Sequence, residues 1–246
     1  MKIIDINCDM GEGIGNDEQL MQYISSANIA CGYHAGDETT MKITVELCKK
    51  YNVAIGAHPS YPDKENFGRT DMLLPTGEIY ELVKKQIVLL KKITEESGVS
   101  INHVKPHGAL YNMAARDKNI AAVIALAIID TDRNLILYGL SGSQSIIEGK
   151  KHGLKTASEV FADRTYKDEG NLSPRNKPGA MIEETEKAVA QAIQMVKKGK
   201  VTSVNNKLVA IIADTICIHG DGVQAVEFAK SIHDSFIKEG IQIKSI

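Results

Sequence analysis

Short runs of apolar and β-branched residues alternate along the whole chain with longer amphipathic stretches. Strand side chains alternate between two faces, whereas a helix returns its apolar face every three to four residues, so the two periods separate the two element types. The runs IIDINC at 3–8, NIAC at 28–31, VAIGAH at 53–58 and INHVK at 101–105 predict four strands. NLILYGL at 134–140, LKTASEVF at 154–161 and KLVAIIAD at 207–214, the last extended by TICIH at 215–219, bring the number to about seven. Helical periodicity fills the gaps, most plainly from Glu78 to Ser97, where Leu82, Val83, Ile87, Leu90 and Ile93 recur, and again from Ile182 to Lys198 and from Val223 to Lys238. Strands separated by helices pair in parallel through right-handed crossovers. Alternation alone describes both a closed barrel and a doubly wound open sheet.

The placement of polar residues favours the barrel. Nearly every strand ends in groups able to do chemistry: Asp9 and Glu12, His34 and Asp37, His58, Lys105 and His107, Asp163 and Arg164, then His219 and Asp221. In a parallel barrel all these ends converge on one face, whereas an open sheet gathers its ligand at one switch point. A length of 246 residues suits a single β/α barrel domain over 1–246, and 43% hydrophobic residues supply its core. With 29 basic against 31 acidic residues the net charge is -2, which gives no bias toward nucleic acid or an anionic membrane. No apolar run approaches the roughly 18 residues needed to span a bilayer, and the start is broken by Asp5, Asn7 and Asp9, so a cytoplasmic location is expected. The four cysteines are scattered without a CxxC pair, which predicts reduced thiols. The polar stretch 164–180 carries Pro174 and Pro178 and no helical period. It reads as an active-site lid or binding loop, or else as a mobile surface excursion.

Period two sets Asp5, Asn7 and Asp9 on one side of the first strand. They either meet water, substrate or metal at the barrel mouth or tie the strand in place as a buried polar network; Asp9 and Glu12, nearer the loop, read as functional. Gly11, Gly13 and Gly15 lack the last glycine of a dinucleotide fingerprint and stand among Asp9, Glu12 and Asp17, so they read as a tight βα turn. GLSGSQS at 139–145 is a better-placed anion cradle, since small residues precede a helix, although capping alone also explains its serines. Asp37 suits an N-cap. His34, His58 and His107 together with Asp9 suit a divalent-metal site that activates water, the alternative being ordinary hydrogen-bonded histidines. His219 gains from Asp221, because a carboxylate can orient an imidazole; His103, His152 and His233 read as structural or solvated. An unpaired ammonium at the barrel end would be costly, so Lys105 should meet a carboxylate or an anionic substrate. Arg164 and Arg175 suit bidentate binding of carboxylate or phosphate, with plain surface exposure the alternative, more so for Arg175.

The segments DINCDMGEG, NIACGYHAGD, GAHPSYPD, KPHGALYN, EVFADRTY and ICIHGDG, in this order across residues 5–221, resemble the signature segments of the LamB/YcsF family. The resemblance implies a distorted seven-stranded β/α barrel related to the polysaccharide deacetylase superfamily. It also implies the work of the A subunit of an ATP-dependent 5-oxoprolinase, which opens 5-oxoproline to L-glutamate with subunits B and C, using ATP with magnesium. A five-membered lactam is a stabilised amide, and phosphorylation of its carbonyl oxygen activates it toward water. On this reading Lys105 and Arg164 hold the substrate carboxylate or the transferred phosphoryl group. His107 and His219 exchange protons, Asp221 orients His219, and Asp9 and Glu12 position water or Mg-ATP. Two other readings remain: a metal-dependent deacetylase or amidohydrolase without ATP, built on Asp9, His34, His58 and His107, and a non-catalytic ligand-binding subunit.

Overall fold

In the computed structural model, which describes residues 2–175, 177–220 and 225–246, strands and helices alternate as the periodicity predicts. The first half of the chain runs β1 (Lys2–Met10), α1 (Asp17–Leu20), β2 (Ser26–Ala30), α2 (Glu38–Tyr51), β3 (Ala54–His58), α3 (Thr76–Glu96), β4 (Ile101–Val104), α4 (Gly108–Arg116) and α5 (Lys118–Thr131). The second half runs β5 (Ile136–Leu140), α6 (Gln144–Lys151), β6 (Lys155–Phe161), α7 (Thr185–Lys198), β7 (Lys200–Thr202), β8 (Leu208–Ala210), β9 (Thr215–Ile218), α8 (Ala225–Lys238) and β10 (Ile241–Ile243). Strands β1 to β6 pair in order, β6 pairs with β9, and β9 returns to β1, every pairing parallel, so seven strands close a ring. The open-sheet alternative is thereby excluded. β10 adds to the lower end of β1 through Lys2↔Ile241 and Ile4↔Ile243.

The continuous strand expected over 207–219 is two separate elements. Residues 208–210 form an antiparallel hairpin with β7, and only 215–218 enters the ring, between β6 and β1. Asp214 makes the break: its backbone N–H donates to Ser158 O at 2.9 Å, its carboxylate accepts from Ser158 N at 2.8 Å, and its carbonyl accepts from Asp5 N at 3.2 Å. These bonds clip the chain to both neighbours before β9 begins, and every residue of β9 is then buried.

The period-two pattern of β1 divides its side chains between two environments. Ile4, Ile6, Cys8 and Met10 join the hydrophobic layer under the helices, each burial of a large apolar side chain contributing about 1.5–3 kcal/mol. Asp5, Asn7 and Asp9 instead face the barrel axis. Asp5 accepts from the hydroxyls of Ser25 at 2.6 Å, Ser26 at 2.7 Å and Thr215 at 2.6 Å, so it ties β1, β2 and β9 together at the barrel floor. Gly11, Gly13 and Gly15 have φ of +71°, +84° and +87°, the left-handed geometry of a tight turn after β1. All four cysteines are buried free thiols. Among the described residues no helix is long and apolar enough to cross a membrane.

Candidate active site

The ends of the first four strands bring Asp9, Glu12, His34, His58 and His107 together at the C-terminal mouth of the barrel. The loop after β3 roofs them: Pro59 O accepts from His107 N at 2.8 Å and Gly68 O from Ala109 N at 2.9 Å. Gly68 has φ +66°, and a Cβ there would lie 2.9 Å from both His107 Cδ2 and His34 Cβ, so only glycine lets the backbone press this closely on the rings. The His34 and His107 rings stack at 3.8 Å with 5° between planes.

The outer hydrogen bonds fix which ring nitrogen carries the proton. His58 Nδ1 lies 2.6 Å from Lys105 O and His107 Nε2 lies 2.9 Å from Phe67 O; a carbonyl only accepts, so both nitrogens are N–H donors. The Ser60 hydroxyl donates to Tyr61 O at 3.0 Å and therefore accepts from His34 Nδ1 at 2.9 Å. The opposite nitrogens, His34 Nε2, His58 Nε2 and His107 Nδ1, turn inward and are the positions that can take up a proton or a cation. His34 Nε2 lies 3.1 Å from Glu12 Oε1, and His107 Nδ1 lies 2.9 Å from His58 Nε2. Two lone pairs that close repel unless a proton or cation lies between them. Burial, reinforced by neighbouring histidines, pushes His34 down to about 3 and His107 below its ordinary value, so both rings are neutral near pH 7. One ligand atom each from Glu12, His34, His58 and His107 falls within 4.8 Å of the others. Neutral imidazoles fixed by outer acceptors, with one carboxylate, are the donor set of a divalent cation. The carboxylate in this set is Glu12, where the sequence pattern suggested Asp9.

Asp9 stands beside the set, its Oδ2 3.3 Å from His58 Nε2 and its Oδ1 bonded to Asn28 Nδ2 at 2.8 Å and to Lys105 Nζ at 2.9 Å. Burial alone would raise the Asp9 carboxyl, but His58 and Lys105 hold it well below the usual carboxylate range. Lys105 is 2% exposed, and its ammonium also meets Glu159 Oε1 at 2.9 Å, Asn7 Oδ1 at 3.2 Å and Cys217 Sγ at 3.1 Å. Lys105 thus finds two carboxylates of the protein itself and holds Asp9 from beneath. Asn7 also donates to Glu159 Oε1 at 2.9 Å, which makes it part of the same buried network. Sequence reasoning missed Glu159 and Asn28; the period-two position of Glu159 inside the KTASEVF run was the available signal. Asp37 lies apart from the mouth chemistry and caps α2, accepting from Thr40 N at 2.8 Å. His103 lies inside the barrel, bonded to Asn28 Oδ1 at 2.8 Å and stacked on Tyr138, a structural role.

The ends of β6 and β9 supply the other wall. His219 Nδ1 lies 2.7 Å from Asp163 Oδ2, so Asp163 orients this ring; Asp221, expected in that role, lies outside the described residues. Arg175 donates to His219 Nε2. Burial would raise the Asp163 carboxyl, yet His219, Arg175 and Arg164 together keep it below its ordinary value. Arg164 is 7% exposed and donates through Nη2 to Ser173 O at 2.6 Å. Between the walls lies a cleft of about 940 Å³ lined by Asp9, Glu12, His58 and His107 on one side and by Ser143, Arg164, Arg175 and His219 on the other. The polar stretch after β6 is pinned by the bridges Arg164↔Met181 and Tyr166↔Leu172, and its residues 171–175 wall the cleft.

A closed ring of seven parallel strands with histidines and carboxylates at its C-terminal mouth makes the molecule a β/α barrel with its candidate site at the strand ends. Peptidoglycan deacetylase PdaC from Bacillus subtilis shares that fold at 12% identity, with a TM-score of 0.51 over 100% of this chain and 88% of its own. The chain belongs to the LamB/YcsF family, whose model matches residues 4–246. The A subunit of 5-oxoprolinase from Staphylococcus aureus strain MSSA476 is 50% identical over 248 residues, 99% of each chain. The crystal structure of the lactam utilization protein from Thermus thermophilus superposes with a TM-score of 0.93 at 38% identity, covering 99% of this chain and 100% of that one.

Proposed function

We propose that this chain is the A subunit of an ATP-dependent 5-oxoprolinase, hydrolysing the lactam of 5-oxoproline to L-glutamate together with subunits B and C. The names and near-complete coverage of its relatives support the substrate and the assembly. The observation that carries the chemistry is the convergence of three inward imidazole nitrogens and Glu12 beside a cleft with a buried arginine on its far wall. Glu12, His34, His58 and His107 would hold a divalent cation, which when bound polarises a carbonyl and acidifies water. Asp9, held ionised by Lys105, takes the proton released as water attacks. His219, oriented by Asp163, delivers a proton to the departing nitrogen from Nε2. Arg175 donates to that nitrogen in this structure, so proton delivery requires the Arg175 side chain to swing aside. ATP with magnesium enters as co-substrate to activate the carbonyl, which places the assembly in the cytoplasm where ATP is made available.

The test is glutamate formation from 5-oxoproline, with and without ATP, by the chain alone and mixed with candidate B and C subunits. ATP-dependent turnover only in the mixture is the expected result. The cation site favours one competing reading, a metal-dependent amidohydrolase without ATP. Chelator-sensitive, ATP-independent release of amine or acid by the isolated chain would establish that reading instead.

A further inference from the structure

Among the described residues, the buried side-chain atoms without a hydrogen-bond partner are Tyr111 Oη, Ser143 Oγ, Glu159 Oε2, Asp163 Oδ1 and Arg164 Nε. All five lie on the segments from α4 to the turn after β6. Buried polar groups in native proteins are almost always paired, so a concentration of orphans marks a place completed by a ligand. Tyr111 and Glu159 answer each other, since burial and the Glu159 carboxylate together push the Tyr111 phenol up. Ser143 and Arg164 are the remaining donors, and both line the cleft. Ser143 is 6% exposed and stands three residues beyond the end of β5; Arg164 is 7% exposed and stands three residues beyond the end of β6. β5 and β6 are hydrogen-bonded neighbours, with Leu140 opposite Glu159, so the two residues leave the barrel side by side.

The charge balance asks for an anion. Arg164 has no carboxylate within ion-pair distance among the described residues, because Asp163 turns its Oδ2 to His219, and Arg175 adds a second positive charge nearby. Asp163 is a counter-charge nearby, but it also faces His219 and Arg175, and a guanidinium nine-tenths buried with its Nε–H unpaired is a costly arrangement unless an anion completes it. The eight-residue helix α6 begins at Gln144, its N-cap Ser143 makes no side-chain capping bond, and the Ser143 N–H turns back to Leu140 O at 3.0 Å. Its first turn therefore presents uncapped amides and the positive end of the helix dipole beside the same cleft.

We propose that Arg164, Ser143 and the first turn of α6 form an oxyanion subsite that takes the carboxylate of the substrate and fixes the amide carbonyl against the histidine wall. Only the identity of the ligand rests on the 5-oxoprolinase reading; the subsite rests on the orphaned donors. Titration calorimetry of the full chain with 5-oxoproline, with 2-pyrrolidinone, which has the same ring without the carboxylate, and with inorganic phosphate tests it. 5-Oxoproline should bind at least about tenfold more tightly than 2-pyrrolidinone, Arg164→Met should erase that difference, and Ser143→Ala should narrow it about threefold. Binding of 2-pyrrolidinone should not change in either variant. If Arg164→Met fails to fold, Ser143→Asp, which sets a negative charge at the same point, should abolish the preference for the acid. Phosphate binding that depends on Arg164 and Ser143, with no such dependence for 5-oxoproline, would overturn the carboxylate assignment in favour of a phosphoryl group. Equal binding of 5-oxoproline to wild type and variants, or no anion binding at all, would overturn the subsite. Failure of the functional reading appears separately, as absent glutamate formation in the mixed complex while binding persists.

Discussion

Lys105 is the residue on which the interior depends. Its ammonium is fully enclosed, and Asp9, Cys217 and Glu159 hold its pKa well above the ordinary value although burial opposes the charge. Lys105→Met leaves Asp9 and Glu159 buried without their shared cation, so it should cost about 3–5 kcal/mol of unfolding free energy, read from urea denaturation. His103 provides a cleaner pH test because it lies inside the barrel, apart from the mouth histidines proposed to hold a cation. Burial, with Lys105 nearby, pushes it down to about 3. Its folded pKa is below the unfolded value of about 6.5, so the unfolded chain binds more protons below that pH, and stability is constant above it and falls as pH drops toward 3. Between roughly pH 6.5 and 5 the wild type should lose about 2 kcal/mol more than His103→Gln. The inward face of β1 was legible at this scale, since Asp5, Asn7 and Asp9 follow period two. Their partners were not, because Glu159 and Thr215 come from strands more than a hundred residues away.

At the scale of elements, each strand end delivers its side chains through a specific turn or cap. Asp37 is the simplest case: it caps α2, so Asp37→Ala should cost about 1 kcal/mol of stability and leave turnover unchanged. The turn after β6 is different, because Asp163 orients His219 across 56 residues. If His219 is the proposed proton donor, Asp163→Asn should reduce kcat by roughly tenfold or more with little change in KM, since it disturbs the orientation of His219 while leaving Glu12, His34, His58, His107 and Arg164 in place. The single strand expected over 207–219 failed at this scale for a physical reason. Leu208, Val209 and Ala210 have strand-like chemistry, but Asp214 is bonded to β6 and β1 at once and starts a new element. Local propensity does not register a clip made by distant backbone.

At the scale of the molecule, ring closure makes the site. The pairing of β9 with both β1 and β6 brings the His219 wall around to face the histidine cluster across the cleft. A cation at the proposed histidine site would link site and stability, since a ligand that binds only the folded chain stabilises it, by about 4 kcal/mol at a thousandfold excess over Kd. Chelation should therefore lower the thermal midpoint of the wild type and abolish turnover, with both restored by a divalent cation. His58→Ala should show the low midpoint from the outset and respond to neither treatment, and elemental analysis should find its bound metal lost.

Hydrophobic periodicity by itself determined the alternation of strands and helices, the inward set of β1 and the presence of acid, base and cationic groups at strand ends, because those features depend on spacing within one element. Only the tertiary structure decided that the sheet closes, that Glu12 joins the three histidines while Asp9 pairs with Lys105, and that Asp163 orients His219. Each of those choices is a contact between elements distant in the chain, set by strand order and register, and none is written in the local period of any segment.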